Sequence, residues 1–431
     1  MNATSKARMR LSIALLISLI SAYTFIYLTK TCFSSAMVFI VEEGILTKFQ
    51  TGTINAVFYA VYAAAQMLIS PIIDKWKAEK FITIGLVGAA VANFAIYLNQ
   101  NYVLMLCVWI FNAIVQCAVW PAVFKIATTV VCPQLVGQSV FYINAAGTLG
   151  TILSFIVAAI VGSAWQYNFL ISAVGLLVFA LLWEIACFLL RPIFIEAEAE
   201  NKKSKAMTSV EKKSDVKKGM SFTSLLFSAG LLMLFIISIL RCSLTTGIMA
   251  LTPSIINESY DTISARLSTL VNIVVIAAGF LGMLFASLLY SRVLKNEGFA
   301  TLLFGVVTLP FVCLLLLVGK IHYLFIVVFL AIIDFLLSAM GMFAMSYIAA
   351  RFNRFNMGAT VVGFLNAGAA LGMVMANLAF TAIADSLGWY ITMISWIVVM
   401  LAVTLLSVTV YFVWTRFLNK IKKGELYAQN N

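Results

Sequence analysis

The chain has 431 residues, 63% of them hydrophobic and 10% charged, with 28 Lys and Arg against 16 Asp and Glu. A soluble domain carries about a quarter charged residues, so this composition excludes a water-facing globular protein. The +12 net charge calls for no nucleic-acid partner, because basic loops beside anionic lipid account for it.

A hydrocarbon core about 30 Å thick needs roughly 20 apolar residues per helix. Lys6, Arg8 and Arg10 precede an apolar run from Leu11 to Ile40. That run is too long for a signal-peptide core, so the first span is expected to stay in the protein. Further runs read as spans at 53–73, 81–98, 102–130, 139–163 and 168–190. Residues 191–222, rich in Lys and Glu, read as a solvated linker. Spans resume at 223–252, 265–290, 299–319, 323–350, 359–384 and 389–416. The expected fold is an all-α membrane protein of twelve transmembrane helices in two pseudo-symmetric six-helix bundles. The first bundle covers 1–190 and the second 223–431.

Orientation follows from loop Lys and Arg. Of the 28, 22 fall in the termini, the linker and the loops on their side, and 3 (Lys48, Arg266, Lys320) on the other. Both termini and the linker are therefore expected in the cytoplasm, with the protein multi-pass in a cell (inner) membrane.

Seven Cys are scattered with no C-x-x-C pair, and the single His, His322, lies in a short loop. Neither pattern makes a metal site or a catalytic dyad. No G-x-x-x-x-G-K-[ST] run exists, so no phosphate cradle for ATP is present. No enzyme activity, metal or cofactor is expected.

Asn144-Ala-Ala-Gly-Thr-Leu-Gly150 in span five resembles Asn366-Ala-Gly-Ala-Ala-Leu-Gly372 in span eleven, 222 positions on. At the same offset Asn112 of span four meets Asp334 of span ten. Matching halves fit the parallel repeats of a rocking transporter. Small residues also recur wherever membrane helices pack closely.

An intramembrane charge costs about 3 kcal/mol or more unless it meets water or a partner. Five residues need such a reason: Lys30, Lys125, Glu184, Arg241 and Asp334. Lys30 and Arg241 lie deep in the first span of each half, as candidates for repeat-related cations facing a central cavity. Two such cations would hold an anion, and the Arg fork suits carboxylate or phosphate. Alternatively each pairs with an internal acid. Asp334 has three competing roles: pairing with Arg241, carrying a coupling proton, or touching substrate. Lys125 and Glu184 lie nearer the inner ends, where structural roles are expected. Lys125 would snorkel or pair with Asp74. Tyr23 and Tyr27 share a helix face with Lys30. Gln66 and Asn112 are further mid-span polar groups, satisfied by helix neighbours or by a ligand.

Four segments carry a resemblance. They are Tyr23-x-x-x-Tyr27-Leu-Thr-Lys30-x-x-Phe33, Ser70-Pro-Ile-Ile-Asp74-Lys75, Trp120-Pro121-x-x-x-Lys125, and Gly363-Phe364 through Asp385-x-x-Gly388-Trp389. The chain resembles the major facilitator superfamily, and within it the organophosphate:phosphate antiporters such as the glycerol-3-phosphate and hexose-phosphate transporters. The resemblance implies a cavity lined by spans one, four, seven and ten, with Asp74, Lys75 and Lys125 in inner-loop gating. The chain also departs from that pattern. Lys30 and Lys125 stand where the family has Arg, and Ser70 replaces its usual Gly. The family's second phosphate-binding Arg aligns with Thr245, its span-five His with Ala146, and a span-two Lys with Gln66. An organic anion is still implied; a specific sugar phosphate is not.

The resulting expectation is a monomeric antiporter or symporter moving a small organic anion, a phosphorylated metabolite among the options. Lys30, Arg241, Tyr23, Tyr27, Gln66, Asn112 and Asp334 would contact it. One alternative is a carrier of a non-anionic solute (amino acid, nucleoside or drug) coupled to protons through Asp334. Another is a non-transporting membrane sensor.

Overall fold

The structure, a computed structural model, describes residues 3–197, 226, 229–352 and 358–422. Every regular element among them is helical. Most of the linker reading, residues 198–222, lies outside the described residues, while 191–197 are helical. Packing divides the chain into two units, Met1–Ile45 with Ala60–Val216, and Leu46–Tyr59 with Lys217–Asn431.

The first unit holds α1 (Ala3–Lys30), α2 (Cys32–Glu42), the later part of α3 (Lys48–Lys75), α4 (Ala78–Leu98), α5 (Tyr102–Gln116), α6 (Val119–Thr129), α7 (Val136–Val161) and α8 (Gln166–Leu189). Helices α1 and α2 form one interrupted rod. Thr31 separates them, yet its N–H still bonds the Tyr27 carbonyl at 3.1 Å. Lys30 thus ends α1 at mid-rod. Asn101 caps α5, its side chain accepting from the backbone N–H groups of Val103 and Leu104, as an N-cap residue does. The core of this unit gathers Leu15, Leu19, Ile82, Leu86, Val123 and Leu176.

The second unit holds the first part of α3 and α9 (Leu231–Ser259), α10 (Ala265–Arg292), α11 (Glu297–Leu314), α12 (Tyr323–Gly341), α13 (Ile348–Arg351), α14 (Gly358–Met375) and α15 (Thr381–Lys422). Two π-turns interrupt it, Met342–Tyr347 after α12 and Ala376–Phe380 after α14. Helix α15 breaks at Gly388, whose φ of 80° is open to glycine without strain.

Among the described residues, ten segments are long and apolar enough to cross a membrane. The last of them, Val361–Ile421, runs 61 residues. At 1.5 Å per residue it would measure about 90 Å, three times the hydrocarbon core, and Gly388 divides it.

The seventh span differs from the sequence expectation of 223–252. It begins at Leu231 and continues through Pro253 to Ser259. A proline removes the N–H that would bond the carbonyl four residues back. Here that carbonyl belongs to Met249, and the Asn272 amide of α10 donates to it at 2.8 Å. A neighbouring helix supplies the missing donor, so the helix passes its proline intact.

The two glycine motifs act alike within their units. A Cβ on Gly150 would collide with the Thr24 carbonyl and approach Tyr27 Cβ to 2.8 Å. A Cβ on Gly372 would collide with the Ile239 carbonyl and approach Cys242 Cβ to 3.0 Å. Thr24 and Ile239 stand 215 positions apart, as do Tyr27 and Cys242. This register corrects the pairing of Lys30 with Arg241. The position equivalent to Lys30 is Thr245, and Arg241 lies one turn earlier.

Candidate functional site

In the first unit, Lys30 is buried among aromatic rings. Its ammonium lies 4.1 Å from the Tyr62 ring centroid and 5.1 Å from that of Tyr27. Tyr23 packs on Tyr27 at 5.0 Å and on Trp120 at 5.3 Å. Gly147 leaves room for the Tyr27 ring, 3.3 Å from where its Cβ would be. A cation over desolvated ring faces gains about 2 kcal/mol or more, which offsets part of the cost of burying it. Tyr62 escaped the sequence reading. It lies four residues before Gln66, and that spacing was the available signal. Gln66 itself is half-buried.

Asn112 is wholly buried, and its Oδ1 accepts from Gln116 Nε2 at 2.8 Å. Gln116 Nε2 also lies 3.4 Å from Thr29 Oγ1. Asn112 Nδ2 and Gln116 Oε1 have no partner. Gln116 is a second residue missed in sequence, although its i+4 spacing from Asn112 marks it.

Lys125 does not stand alone. Its ammonium donates to the carbonyls of Ile73 at 2.7 Å and Trp76 at 3.0 Å, capping the end of α3. A cation at a helix C-terminus meets both orphan carbonyls and the negative end of the dipole. The side chains of Asp74 and Lys75 lie outside the described residues. Glu184 pairs with Lys80 at 3.0 Å and accepts from Thr83 at 2.5 Å.

In the second unit, Arg241 and Asp334 are 8% and 7% exposed. Among the described residues, ion pairs within 4 Å join Arg8 to Glu196, Lys48 to Glu258, Lys80 to Glu184 and Arg351 to Glu297; none joins Arg241 to Asp334. Arg241 meets neutral acceptors instead: the Leu337 carbonyl at 3.3 Å, and two weakly accepting sulfurs, Cys242 Sγ at 2.9 Å and Met345 Sδ at 3.4 Å. Its Nε, Oδ1 of Asp334 and the Thr245 hydroxyl have no hydrogen-bond partner. Thr245 follows Arg241 by one turn, on the same helix face.

Two glycines seat the charges. A Cβ on Gly279 of α10 would collide with the Asp334 carboxylate. A Cβ on Gly341 would come within 2.8 Å of Arg241 Cζ. The arrangement therefore offers a donor, a hydroxyl and an acceptor beside two opposite charges. It can take a ligand with complementary groups, or a proton at the carboxylate.

Among the described residues, no group of three or more His, Cys, Asp and Glu side chains could hold a metal ion.

Solved structures share the fold. A bacterial homologue of the human lysosomal transporter Spinster, inward-facing and unoccupied, matches with TM-score 0.69 and 12% identity over 94% of this chain and 98% of that one. A point mutant of the nucleoside transporter NupG matches with TM-score 0.68 and 13% identity over 94% of this chain and 99% of that one. Among curated proteins, the membrane sensor protein UhpC of Salmonella typhimurium is 28% identical over 102 residues, 24% of this chain. The UhpC of Escherichia coli is 24% identical over 102 residues. The match spans 23% of the length of each of these relatives. Residues 19–376 match the family described as Major Facilitator Superfamily, so the chain belongs to that family of multi-pass, non-enzymatic membrane transporters.

Proposed function

We propose that this protein, with twelve spans in two six-helix bundles, carries a small neutral or zwitterionic polar solute by alternating access, coupled to protons through Asp334. The observation that supports this reading is the buried, unpartnered Oδ1 of Asp334 beside an Arg241 that does not pair with it. Intramembrane carboxylates of this kind belong to proton relays or substrate sites. Within the second unit the charges of Arg241 and Asp334 balance, so a solute offering both an acceptor and a donor fits there, as an amino acid or a nucleoside does. A doubly charged phosphate ester would meet the carboxylate as well as the guanidinium. The carboxylate of Asp334 thus favours the non-anionic reading over the organic anion implied by the sequence resemblance. One fold relative is itself a nucleoside transporter. Lys30, Tyr23, Tyr27, Gln66 and Asn112 are assigned to solute contact, and Asp74, Lys75 and Lys125 to gating at the far end of α3.

The test is uptake into proteoliposomes under an imposed pH gradient, with uridine, L-alanine and glycerol 3-phosphate as probes. Wild type is expected to accumulate uridine or L-alanine. Asp334→Asn is expected to lose gradient-driven accumulation while retaining solute exchange. Saturable uptake of glycerol 3-phosphate alone, indifferent to Asp334→Asn, would overturn the reading.

A second reading, a membrane sensor, is favoured by the names of the curated relatives. It predicts a thermal shift with one of the same probes and no flux of any of them.

A further inference from the structure

The start of α3 belongs by packing to the second unit, and its remainder, from Ala60, to the first. Each end is anchored in its own way. Lys125 caps the C-terminal carbonyls, as described above. At the other end, Lys48 Nζ lies 2.7 Å from Glu258 Oε2. The same oxygen accepts from the Trp389 indole N–H at 3.0 Å. The Lys48 ammonium also lies 5.0 Å from the Trp389 ring centroid. Asp385 Oδ2 accepts from the Phe49 N–H at 3.4 Å, placing a negative charge at the positive end of the helix. One turn on, Gly52 lies so close that a Cβ there would collide with the Asn377 carbonyl and with Thr381.

Three residues far apart in sequence thus meet at one carboxylate oxygen, and a bare glycine lets the backbone close beneath them. Alternating access requires packed elements to change partners. The first turns of α3 pack in the second unit and the rest of the helix in the first, so the contacts at its start are candidates for that exchange. The contacts suit it, since the side chains of Lys48 and Glu258 are 12% and 34% exposed and regain water readily on separation.

We propose that Lys48, Glu258 and Trp389 form a latch that holds the start of α3 on the second unit, and that each transport cycle opens it. The inference is independent of which solute is carried.

Ser254, one turn before Glu258 on the same face of α9, is 1% exposed and its hydroxyl has no partner. Ser254→Cys is therefore a mild reporter of opening. The experiment measures labelling of the reconstituted full chain by a membrane-impermeant maleimide, read peptide by peptide so that native cysteines do not interfere. Lys48→Glu in the Ser254→Cys background is expected to raise the labelling rate at position 254 several-fold. Adding Glu258→Lys, which restores opposite charges, is expected to recover most of the protection. Trp389→Phe, which removes only the N–H donor, is expected to give a smaller rise, and serves alone if the charge variants do not fold. No rise in Lys48→Glu, or a rise that the charge swap leaves in place, would overturn the latch; so would an unchanged rate in Trp389→Phe should that variant be the one measured.

Discussion

Gly150→Leu will yield little folded protein, and Gly150→Ala a measurably less stable one. At this crossing α7 meets the α1 backbone, and the added Cβ would strike the Thr24 carbonyl and crowd Leu28 N at 3.0 Å. Backbone cannot swing aside as a flexible side chain can. Overpacking of a close-packed core costs about 1–3 kcal/mol, occasionally more. In a membrane, where close packing rather than water exclusion holds helices together, the separation also forfeits contacts along the crossing. Leucine adds three more carbons to the same space. The check is the thermal unfolding midpoint and monodisperse yield in detergent, beside Gly363→Ala, where an added Cβ meets nothing within 4 Å. Equal stability of Gly150→Ala and Gly363→Ala would show that the crossing yields.

Glu297→Ala is expected to cost about 3 kcal/mol, near the lower end of the range for breaking a buried ion pair. Glu297 is 0% exposed and opens α11. Its Oε1 accepts from Arg351 Nε at 2.7 Å and from the Tyr290 hydroxyl at 2.9 Å, and its Oε2 from the Trp414 indole at 3.1 Å. Alanine leaves an indole N–H buried without an acceptor and a guanidinium without its counter-charge. The lower end applies because the Arg351 side chain is 31% exposed and partly rehydrates. Glu297→Gln keeps an acceptor but loses the charge, so an intermediate loss is expected. Unfolding midpoints of the three proteins test the order, and an alanine variant as stable as wild type would refute it.

The sequence showed the lipid-facing composition, the helical spans and the deep polar residues plainly, because each depends on local apolar length or on the rarity of charge in hydrocarbon. It did not show Glu297, Glu258 and Lys48 as buried or latched. All three read as loop residues, since burial at a helix end depends on which distant chain folds over it. Lys125 was legible as a residue needing a partner, but the carbonyls of Ile73 and Trp76 that its ammonium meets are backbone groups, which no side-chain pattern reveals; the expected pairing with Asp74 lies outside the described residues. Pro253 looked like a helix end because the donor that replaces its missing N–H comes from Asn272, nineteen positions away. The pairing of Lys30 with Arg241 rested on depth alone. The glycine crossings set the register more finely and bring Thr245 to the equivalent place.

The wide turn at Met342–Tyr347 divides the tenth span, α12 from α13, into two independently aimed pieces. A π-turn carries one residue more than an α-turn, so every side chain beyond it is rotated by about 100° from its straight-helix direction. Asp334 lies upstream of that extra residue, while Arg351, downstream, is aimed by it at Glu297. Excising one residue from the turn would therefore swing the Arg351 anchor away and leave the carboxylate of Asp334 where it is.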